Sequence, residues 1–270
     1  MTFHQENSGN LVIASRSTGK SRNRSHWKLS VSNTLSLDIS ALAEEFDRAP
    51  AESVISWAIS EFDTHLTVAC SFGAEDVVLI DMISKLGTKV RIFVLDTGRL
   101  HQETYDVMAQ CREKYNIDFE VFSPNTSSLQ ELLRSKGPNS SYESAENRQE
   151  CCGIRKVEPL RRALTGSKAW ITGLRREQAV TRTGLAKIEI DSTHGGMTKI
   201  NPLADWSESQ VWDYIRSNGV PYNALHDEGF PSIGCAPCTR AIVAGEDIRA
   251  GRWWWENPEH KECGLHIRKA

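Results

Sequence analysis

Hydrophobic residues along this chain follow two different spacings, and the change from one to the other predicts its elements. From Leu35 onward apolar residues recur at helical spacing, and Pro50 divides them into two amphipathic helices. Short apolar runs typical of buried strands follow at 66–70, 90–95, 118–122 and 168–172. Helical patterns lie beside these runs at 77–86, 101–115, 127–136 and 152–164.

Strands that alternate with helices predict an α/β fold. We expect a doubly wound, mostly parallel sheet with helices on both of its faces. Sheets of this kind bind ligands at the carboxyl ends of their strands. Two loops with candidate chemistry, 71–76 and 96–99, fall at such ends.

The chain divides by composition into three parts. Residues 1–34 are rich in Ser, Asn, Arg and Lys and show no apolar period, which predicts a disordered tail, although an organelle transit peptide would look similar. Residues 35–241 are expected to form one α/β domain. Residues 242–270 are expected to form a mobile carboxy-terminal tail.

Charge and cysteine content exclude several classes of function. The formal charge of −3 and the pI near 6.3 argue against a nucleic-acid partner, which would favour an excess of Lys and Arg. No apolar run approaches the roughly 18 residues of a membrane span. Seven cysteines, an odd number, without a secretory signal argue against a disulfide framework. A soluble protein of the reducing cytoplasm is expected.

Five of the cysteines form a pattern with chemical meaning. Cys151 and Cys152 are adjacent, Cys235 and Cys238 are separated by two residues, and Cys263 stands alone. Four thiolates can hold a zinc ion or an iron–sulfur cluster, and the Cys-x-x-Cys spacing alone does not choose between them. Adjacent thiolates favour a cluster, because zinc sites usually separate their cysteines by two or more residues. The fifth thiol is a candidate nucleophile.

The loop Ser71-Phe-Gly-Ala-Glu-Asp76 joins a predicted strand to a predicted helix. A hydroxyl, a glycine and the free amides at the helix start can surround an anionic ligand. The glycine spacing and the Lys-Ser/Thr pair of a Walker loop are missing. The loop therefore predicts an anion site of another type, or a well-capped connection.

Several motifs in one order resemble the family of adenosine phosphosulfate and phosphoadenosine phosphosulfate reductases. The loop at 71–76 and Leu95-Asp-Thr-Gly98 look like the family's modified pyrophosphate loop. The resemblance continues through Cys151-Cys-Gly-Ile-Arg-Lys156, Thr172-Gly-Leu-Arg-Arg-Glu-Gln178, Asn201-Pro-Leu-Ala-Asp-Trp206, Gly234-Cys-Ala-Pro-Cys-Thr-Arg240, Gly251-Arg-Trp-Trp-Trp255 and Lys261-Glu-Cys-Gly-Leu-His266.

The resemblance implies an adenine nucleotide alpha-hydrolase-like fold and one [4Fe–4S] cluster per subunit. The implied ligands are Cys151, Cys152, Cys235 and Cys238. Members with this quartet generally reduce adenosine 5'-phosphosulfate, and some also accept the 3'-phosphorylated substrate. A phosphoadenosine phosphosulfate reductase or a dual-substrate enzyme is therefore the alternative.

The resemblance also implies that Cys263 attacks the sulfur of the substrate, which gives an S-sulfocysteine and releases AMP. Lys261, His266 and Arg268 could lower the pKa of this thiol, and Glu262 would oppose them. Thioredoxin or a similar dithiol protein would then release sulfite. Such reductases serve sulfate assimilation and cysteine biosynthesis, and the family commonly forms homo-oligomers.

The candidate substrate-binding residues come from the same motifs. Arg249 and Arg252 lie three apart, so we expect both to project from one helix face towards the phosphosulfate. Lys156 would connect the cluster with the sulfate in this family. The full candidate set is Ser71, Phe72, Gly73, Asp96, Thr97, Lys156, Gly173, Arg249, Arg252 and His266.

Two readings from other classes compete with a reductase. ATP-pyrophosphatase relatives, including tRNA thiolation enzymes, share the loop architecture, although their Ser-Gly-Gly loop is replaced here by Ser-Phe-Gly. A zinc-bound interaction module would use the same four cysteines structurally. Asp96 could cap the following helix instead of binding substrate. Arg175 and Arg176 could face the nucleotide, or either could pair with a carboxylate instead.

Overall fold

A six-stranded sheet forms the centre of the fold, in a computed structural model that describes residues 37–179 and 182–256. The strands are β1 (Leu66–Cys70), β2 (Arg91–Leu95), β3 (Glu120–Phe122), β4 (Ala169–Ile171), β5 (Ile188–Asp191) and β6 (Met197–Ile200). Their order is β3-β2-β1-β4-β6-β5, and β5 runs antiparallel to β6 whereas the other neighbours are parallel. The predicted mostly parallel α/β sheet is confirmed.

Helices connect the strands. They are α1 (Ile39–Phe46), α2 (Ala51–Phe62), α3 (Ala74–Lys85), α4 (Gln102–Tyr115), α5 (Thr126–Lys136), α6 (Ala145–Cys152), α7 (Glu158–Ala163) and α8 (Glu208–Asn218). The predicted break at Pro50 separates α1 from α2. The positions of α3, α4 and α5 agree with the predicted ones within about three residues.

The helix predicted at 152–164 begins too late. Helix α6 starts at Ala145, where the side chain of Ser144 accepts a hydrogen bond from the amide of Asn147, and it continues through a π-helical turn at Gly153–Val157 into α7. Its buried residues are Arg148 and Cys152. A polar helix with a buried arginine shows no apolar period, which explains why the pattern missed its first half.

The hairpin of β5 and β6 was not predicted. Both strands carry charged residues, and the side chain of Lys199 on β6 lies 3.5 Å from that of Glu189 on β5. Lys199 also lies 5.5 Å from the ring centroid of Trp170 on β4. The strands can carry these charged residues because the charges are compensated within the sheet. The segment therefore lacks the apolar run that indicates a buried strand.

The sheet brings its loops to one edge. Strands β1, β2 and β4 are parallel neighbours, so the segments that follow them, beginning at Ser71, Asp96 and Thr172, meet at their carboxyl ends. The chain up to Glu256 contacts this body, because the carboxylate of Glu256 pairs with Arg148 on α6 at 2.9 Å. In the described part of the chain, no helix has the length and apolar character needed to cross a membrane.

Three sequence predictions lie outside the described residues. They concern the tail at 1–34 and the side chains of Cys263 and His266. The domain boundary at 241 stays a prediction.

Candidate active site

A cavity of about 270 Å³ opens at the carboxyl ends of β1, β2 and β4. Seven of the candidate substrate-binding residues line it, and they come from five separate segments of the chain. These residues are Ser71, Gly73, Thr97, Lys156, Gly173, Arg249 and Arg252. The fold therefore brings together most of the substrate residues that the motifs indicated.

Two candidates do not line this cavity. The ring of Phe72 is buried in the core and packs edge-on against Phe119, with 5.2 Å between the ring centroids. Its φ of 59° is unusual for a residue other than glycine. The carboxylate of Asp96 accepts hydrogen bonds from the amide of Gly98 and the hydroxyl of Tyr105, both at 2.8 Å. Asp96 therefore shapes its own loop, and the side chain of Phe72 anchors the loop before α3.

Asp76 organises the loop after β1. One oxygen of its buried carboxylate accepts hydrogen bonds from the amide of Ser71 at 2.6 Å and from its hydroxyl at 2.7 Å. Burial raises the pKa of Asp76 to about 6, although the bonds from Ser71 act in the opposite direction. The sequence showed Asp76 only as the last residue of the loop motif, and its burial was not visible.

Gly173 lies directly against the start of α3. A Cβ atom at this position would come within 2.5 Å of the Oδ1 atom of Asp76 and within 2.9 Å of the Cβ atom of Glu75. Any side chain here would displace the loop. Gly173 also lines the larger cavity, so its place as a candidate substrate-binding residue stays a prediction.

The two arginines after Gly173 are both paired. The Nε atom of Arg175 lies 2.7 Å from a carboxylate oxygen of Glu75, and both side chains are largely buried. Arg176 pairs with Asp47. Both arginines therefore bind carboxylates, and Arg175, which lines the cavity, is held in its wall by Glu75.

The four candidate ligand cysteines line a second, smaller cavity. Cys151 and Cys152 come from the end of α6, and Cys235 and Cys238 come from a tight turn in which the amide of Cys238 donates to the carbonyl of Cys235 at 2.9 Å. The Sγ atom of Cys235 lies 3.3 Å from the hydroxyl oxygen of Thr97. Residues more than 80 positions apart in the sequence therefore face one space.

Neighbouring charges act differently on two of these thiols. Burial raises the pKa of Cys235, but Lys156, the hydrogen bond with Thr97, and the guanidinium of Arg252 outweigh it and lower the pKa below its usual value. Burial and the neighbouring thiols raise the pKa of Cys238 to about 12. Thiols that oppose each other's ionisation become compatible as thiolates when a metal group neutralises them.

The four cysteines supply the donors for a metal group. Within residues 37–179 and 182–256, no three His, Cys, Asp or Glu side chains converge closely enough to hold one metal ion. Four thiolates are the donor set that either a zinc ion or an iron–sulfur cluster takes. The choice of the cluster over the zinc module stays a prediction.

Three residues line both cavities and form the wall between them. They are Lys156, Arg252 and Trp253. A Cβ atom at Gly234 would overlap the guanidinium of Arg252, so the glycine lets this side chain lie against the cysteine-bearing loop. Two cations thus face the thiols on one side and the larger cavity on the other.

Arg249 and Arg252 do not lie on a helix. Arg252 follows Arg249 through a turn in which its amide donates to the carbonyl of Arg249 at 2.9 Å, and the amide of Ala250 donates to the carbonyl of Asp247. The prediction of one helix face is wrong, because Gly251 and the capping carboxylate of Asp247 favour successive turns. Both arginines nevertheless line the larger cavity.

Comparison with known proteins agrees with this arrangement. The family model described as the phosphoadenosine phosphosulfate reductase domain matches residues 65–241. A protein of Allochromatium vinosum named adenosine 5'-phosphosulfate reductase is 51% identical over 221 residues, which cover 82% of this chain and 86% of that protein. A protein of the same name from Burkholderia cepacia is 48% identical over 233 residues, covering 86% of this chain and 90% of that protein.

A solved structure is also similar. The crystal structure of phosphoadenylyl-sulfate reductase from Candida auris, a phosphate complex, has a TM-score of 0.65 and 33% sequence identity. The match covers 76% of this chain and 96% of the Candida auris chain.

Proposed function

This chain belongs to the phosphoadenosine phosphosulfate reductase family, and we propose that it reduces adenosine 5'-phosphosulfate to sulfite and AMP. The observation that carries the proposal is the shared wall, which includes Lys156 and Arg252, between the cavity of about 270 Å³ and the four thiols. The names of the Allochromatium vinosum and Burkholderia cepacia relatives support adenosine 5'-phosphosulfate as the substrate.

Substrate binding follows from the charges of the cavity. Guanidinium groups bind sulfate and phosphate oxygens through paired hydrogen bonds, so Arg249 and Arg252 would hold the phosphosulfate. Lys156 would add a third positive charge at the sulfate. The loop at 71–76 would support the nucleotide from the opposite side, with Ser71 fixed by Asp76.

Cys263 would attack as a thiolate. Its Sγ atom forms a bond to the sulfur of the substrate while the bond between that sulfur and the bridging phosphate oxygen breaks. The electron pair leaves with AMP, and Cys263 carries an SO₃ group. A thiolate of thioredoxin or a similar dithiol protein then attacks Sγ, which releases sulfite and forms a mixed disulfide. The second thiol of the dithiol restores Cys263, so the dithiol supplies both electrons.

Cys151, Cys152, Cys235 and Cys238 would hold one [4Fe–4S] cluster per subunit. The cluster would supply fixed negative charge beside Lys156 and Arg252 and would not change its oxidation state. The proposed location is the reducing cytoplasm, because seven cysteines, an odd number, argue against a disulfide framework. The activity would serve sulfate assimilation and cysteine biosynthesis, and a homo-oligomer is expected.

The test measures sulfite release from the 5'-phosphosulfate and from its 3'-phosphorylated form, with thioredoxin supplied. The native chain should favour the first substrate. Cys263→Ser should release no sulfite, but it should retain the colour of the iron–sulfur cluster and should still bind nucleotide. Intact-mass analysis during turnover should show an added SO₃ on the carboxy-terminal peptide. Sulfite formation without that adduct, or loss of iron in Cys263→Ser, would contradict the assignment.

A further inference from the structure

A buried ion pair joins α6 to the last described residue of the chain. The Nε and Nη2 atoms of Arg148 each lie 2.9 Å from one of the two carboxylate oxygens of Glu256. The two side chains are 1% and 6% exposed. Such a two-point contact fixes the orientation of both groups as well as their distance.

Arg148 also contacts the thiol site. It lies one helical turn before Cys152 on α6, and its guanidinium carbon is 4.9 Å from the ring centroid of Trp253. Burial lowers the pKa of Arg148, but the hydrogen bond and charge of Glu256 outweigh this effect and raise it, and Cys152 acts in the same direction. One buried cation is therefore shared between a carboxylate, a candidate ligand thiol and an aromatic ring.

The carboxylate partner stands at a specific point in the chain. Glu256 is seven residues before Cys263 and is 108 positions away from Arg148. A buried pair costs desolvation energy, and replacing such a pair with apolar groups is often neutral for stability. Stability alone therefore does not account for a charged contact at this place.

We propose that Arg148 is a positioning residue that holds Glu256, and with it the start of the segment carrying Cys263, in a fixed place relative to the four-cysteine site. The inference rests on the proposed function for the role of Cys263. The contact itself involves described residues only.

The geometry of α6 makes the two ends of the contact depend on each other. Arg148 and Cys152 lie one turn apart on this helix, so a shift of its end moves both the guanidinium that Glu256 contacts and the sulfur of Cys152. A group held at the four cysteines would fix the end of α6 and, with it, the position of Arg148. By linkage, loosening Glu256 should also weaken retention of that group.

The chain contains a matched control pair. Arg240 and Glu246 form a two-point ion pair in the same region, with both distances 2.8 Å, but their side chains are 36% and 30% exposed. Glu246→Gln therefore removes a similar charge at a similar geometry without touching α6. Glu256→Gln and Arg148→Lys are the test variants. Arg148→Lys keeps the positive charge but loses the two-point contact with Glu256.

The experiment uses the full chain purified without oxygen and needs no substrate. Trypsin cleavage after Lys261 and alkylation of Cys263 by iodoacetamide are followed by mass spectrometry, together with iron content. Both test variants should be cleaved and alkylated about tenfold faster than the native chain, within the usual range of site coupling. Glu246→Gln should match the native chain.

A chelator arm tests the coupling itself. Removing iron should accelerate cleavage after Lys261 in the native chain and in Glu246→Gln, but should cause no further acceleration in Glu256→Gln. Unchanged cleavage and alkylation in both test variants would overturn the proposal, as would equal acceleration by chelator in all three proteins. A failure of the proposed reductase activity would appear only in sulfite release, so the two failures are distinguishable.

Discussion

The two sides of the larger cavity handle charge in opposite ways. On the side of the sheet, the carboxylate of Glu75 is paired with Arg175, and burial raises the pKa of Asp76 to about 6. On the side of the thiols, Lys156 and neighbouring arginines outweigh burial and lower the pKa of Cys235. Ionisation is therefore disfavoured for Asp76 on the first side and favoured for Cys235 on the second.

This difference distinguishes residues that hold the cavity in place from residues that can interact with a ligand. Charges on the sheet side are compensated by other protein groups, so they hold the loop and the wall in place. Cations on the thiol side face sulfur atoms and an open cavity, where a negatively charged ligand can also interact with them. Substitutions on the first side should therefore change mainly stability, and substitutions on the second should change mainly activity.

Arg175→Met should give the largest effect. The variant leaves Glu75 buried without its main partner, which should lower the free energy of unfolding by about 3–5 kcal/mol. Arg134→Met is the control, because its pair with Glu131 is exposed and should contribute less than about 1 kcal/mol. Urea unfolding measures both. A stable Arg175→Met protein that no longer binds nucleotide would instead place Arg175 on the ligand side.

Asp76 should give the protein a measurable pH dependence. Its folded pKa of about 6 lies above the ordinary value of 3.8, so its contribution to stability is complete below pH 3.8 and is lost as the pH rises through 6. The loss should amount to about 3 kcal/mol for this shift.

The measurement compares unfolding free energies of the native chain and Asp76→Asn from pH 4 to pH 7.5. The asparagine variant should lack this component, so the difference in unfolding free energy between the two proteins should fall from pH 4 to about pH 6 and then level off. A constant difference would show that the Asp76 carboxyl is not shifted by burial.

Lys156→Gln should affect activity more than stability. Removing a cation from the wall between the cavities should lower sulfite release about 100-fold, as for other groups that stabilise developing charge. Its unfolding free energy should change by less than about 1 kcal/mol, because the side chain is only half-buried. Arg161→Gln, on the exposed side of α7, is the charge-matched control and should retain activity. Equal losses in both variants would point to a general charge effect.

Gly173→Ala should give the smallest effect of the four. The added methyl group must displace Asp76 or Glu75, which should lower the unfolding free energy by about 1–3 kcal/mol. Gly73→Ala is the control, because its nearest contacts would be 3.8 Å and 3.9 Å away. If the two variants unfold at the same denaturant concentration, the loop accommodates the added methyl group without a loss of stability, which would contradict the prediction.

The sequence predicted those parts of the fold in which burial and pattern agree. Strands β1 and β2 are buried on both faces and therefore appear as apolar runs. The β5–β6 hairpin was missed because its charged residues are compensated across the sheet. The same reason explains α6, whose buried side includes an arginine.

The candidate site was predicted through its motifs, and what was missed depends on distant partners. The motifs identified the four cysteines and the cations of the wall. They did not show that Asp76 fixes Ser71, or that Arg148 binds a carboxylate 108 residues later. Such roles depend on which segments the fold brings together, and no local pattern records that.

The π-helical turn at Gly153–Val157 has a consequence for how a deletion would affect the site. A turn of this kind amounts to one residue inserted into an otherwise regular helix. Deleting one residue there would restore the regular helical repeat and keep α7 on the sheet. It would also move Lys156 away from the wall between the cavities. A single-residue deletion would thus keep the fold and remove Lys156 from the site.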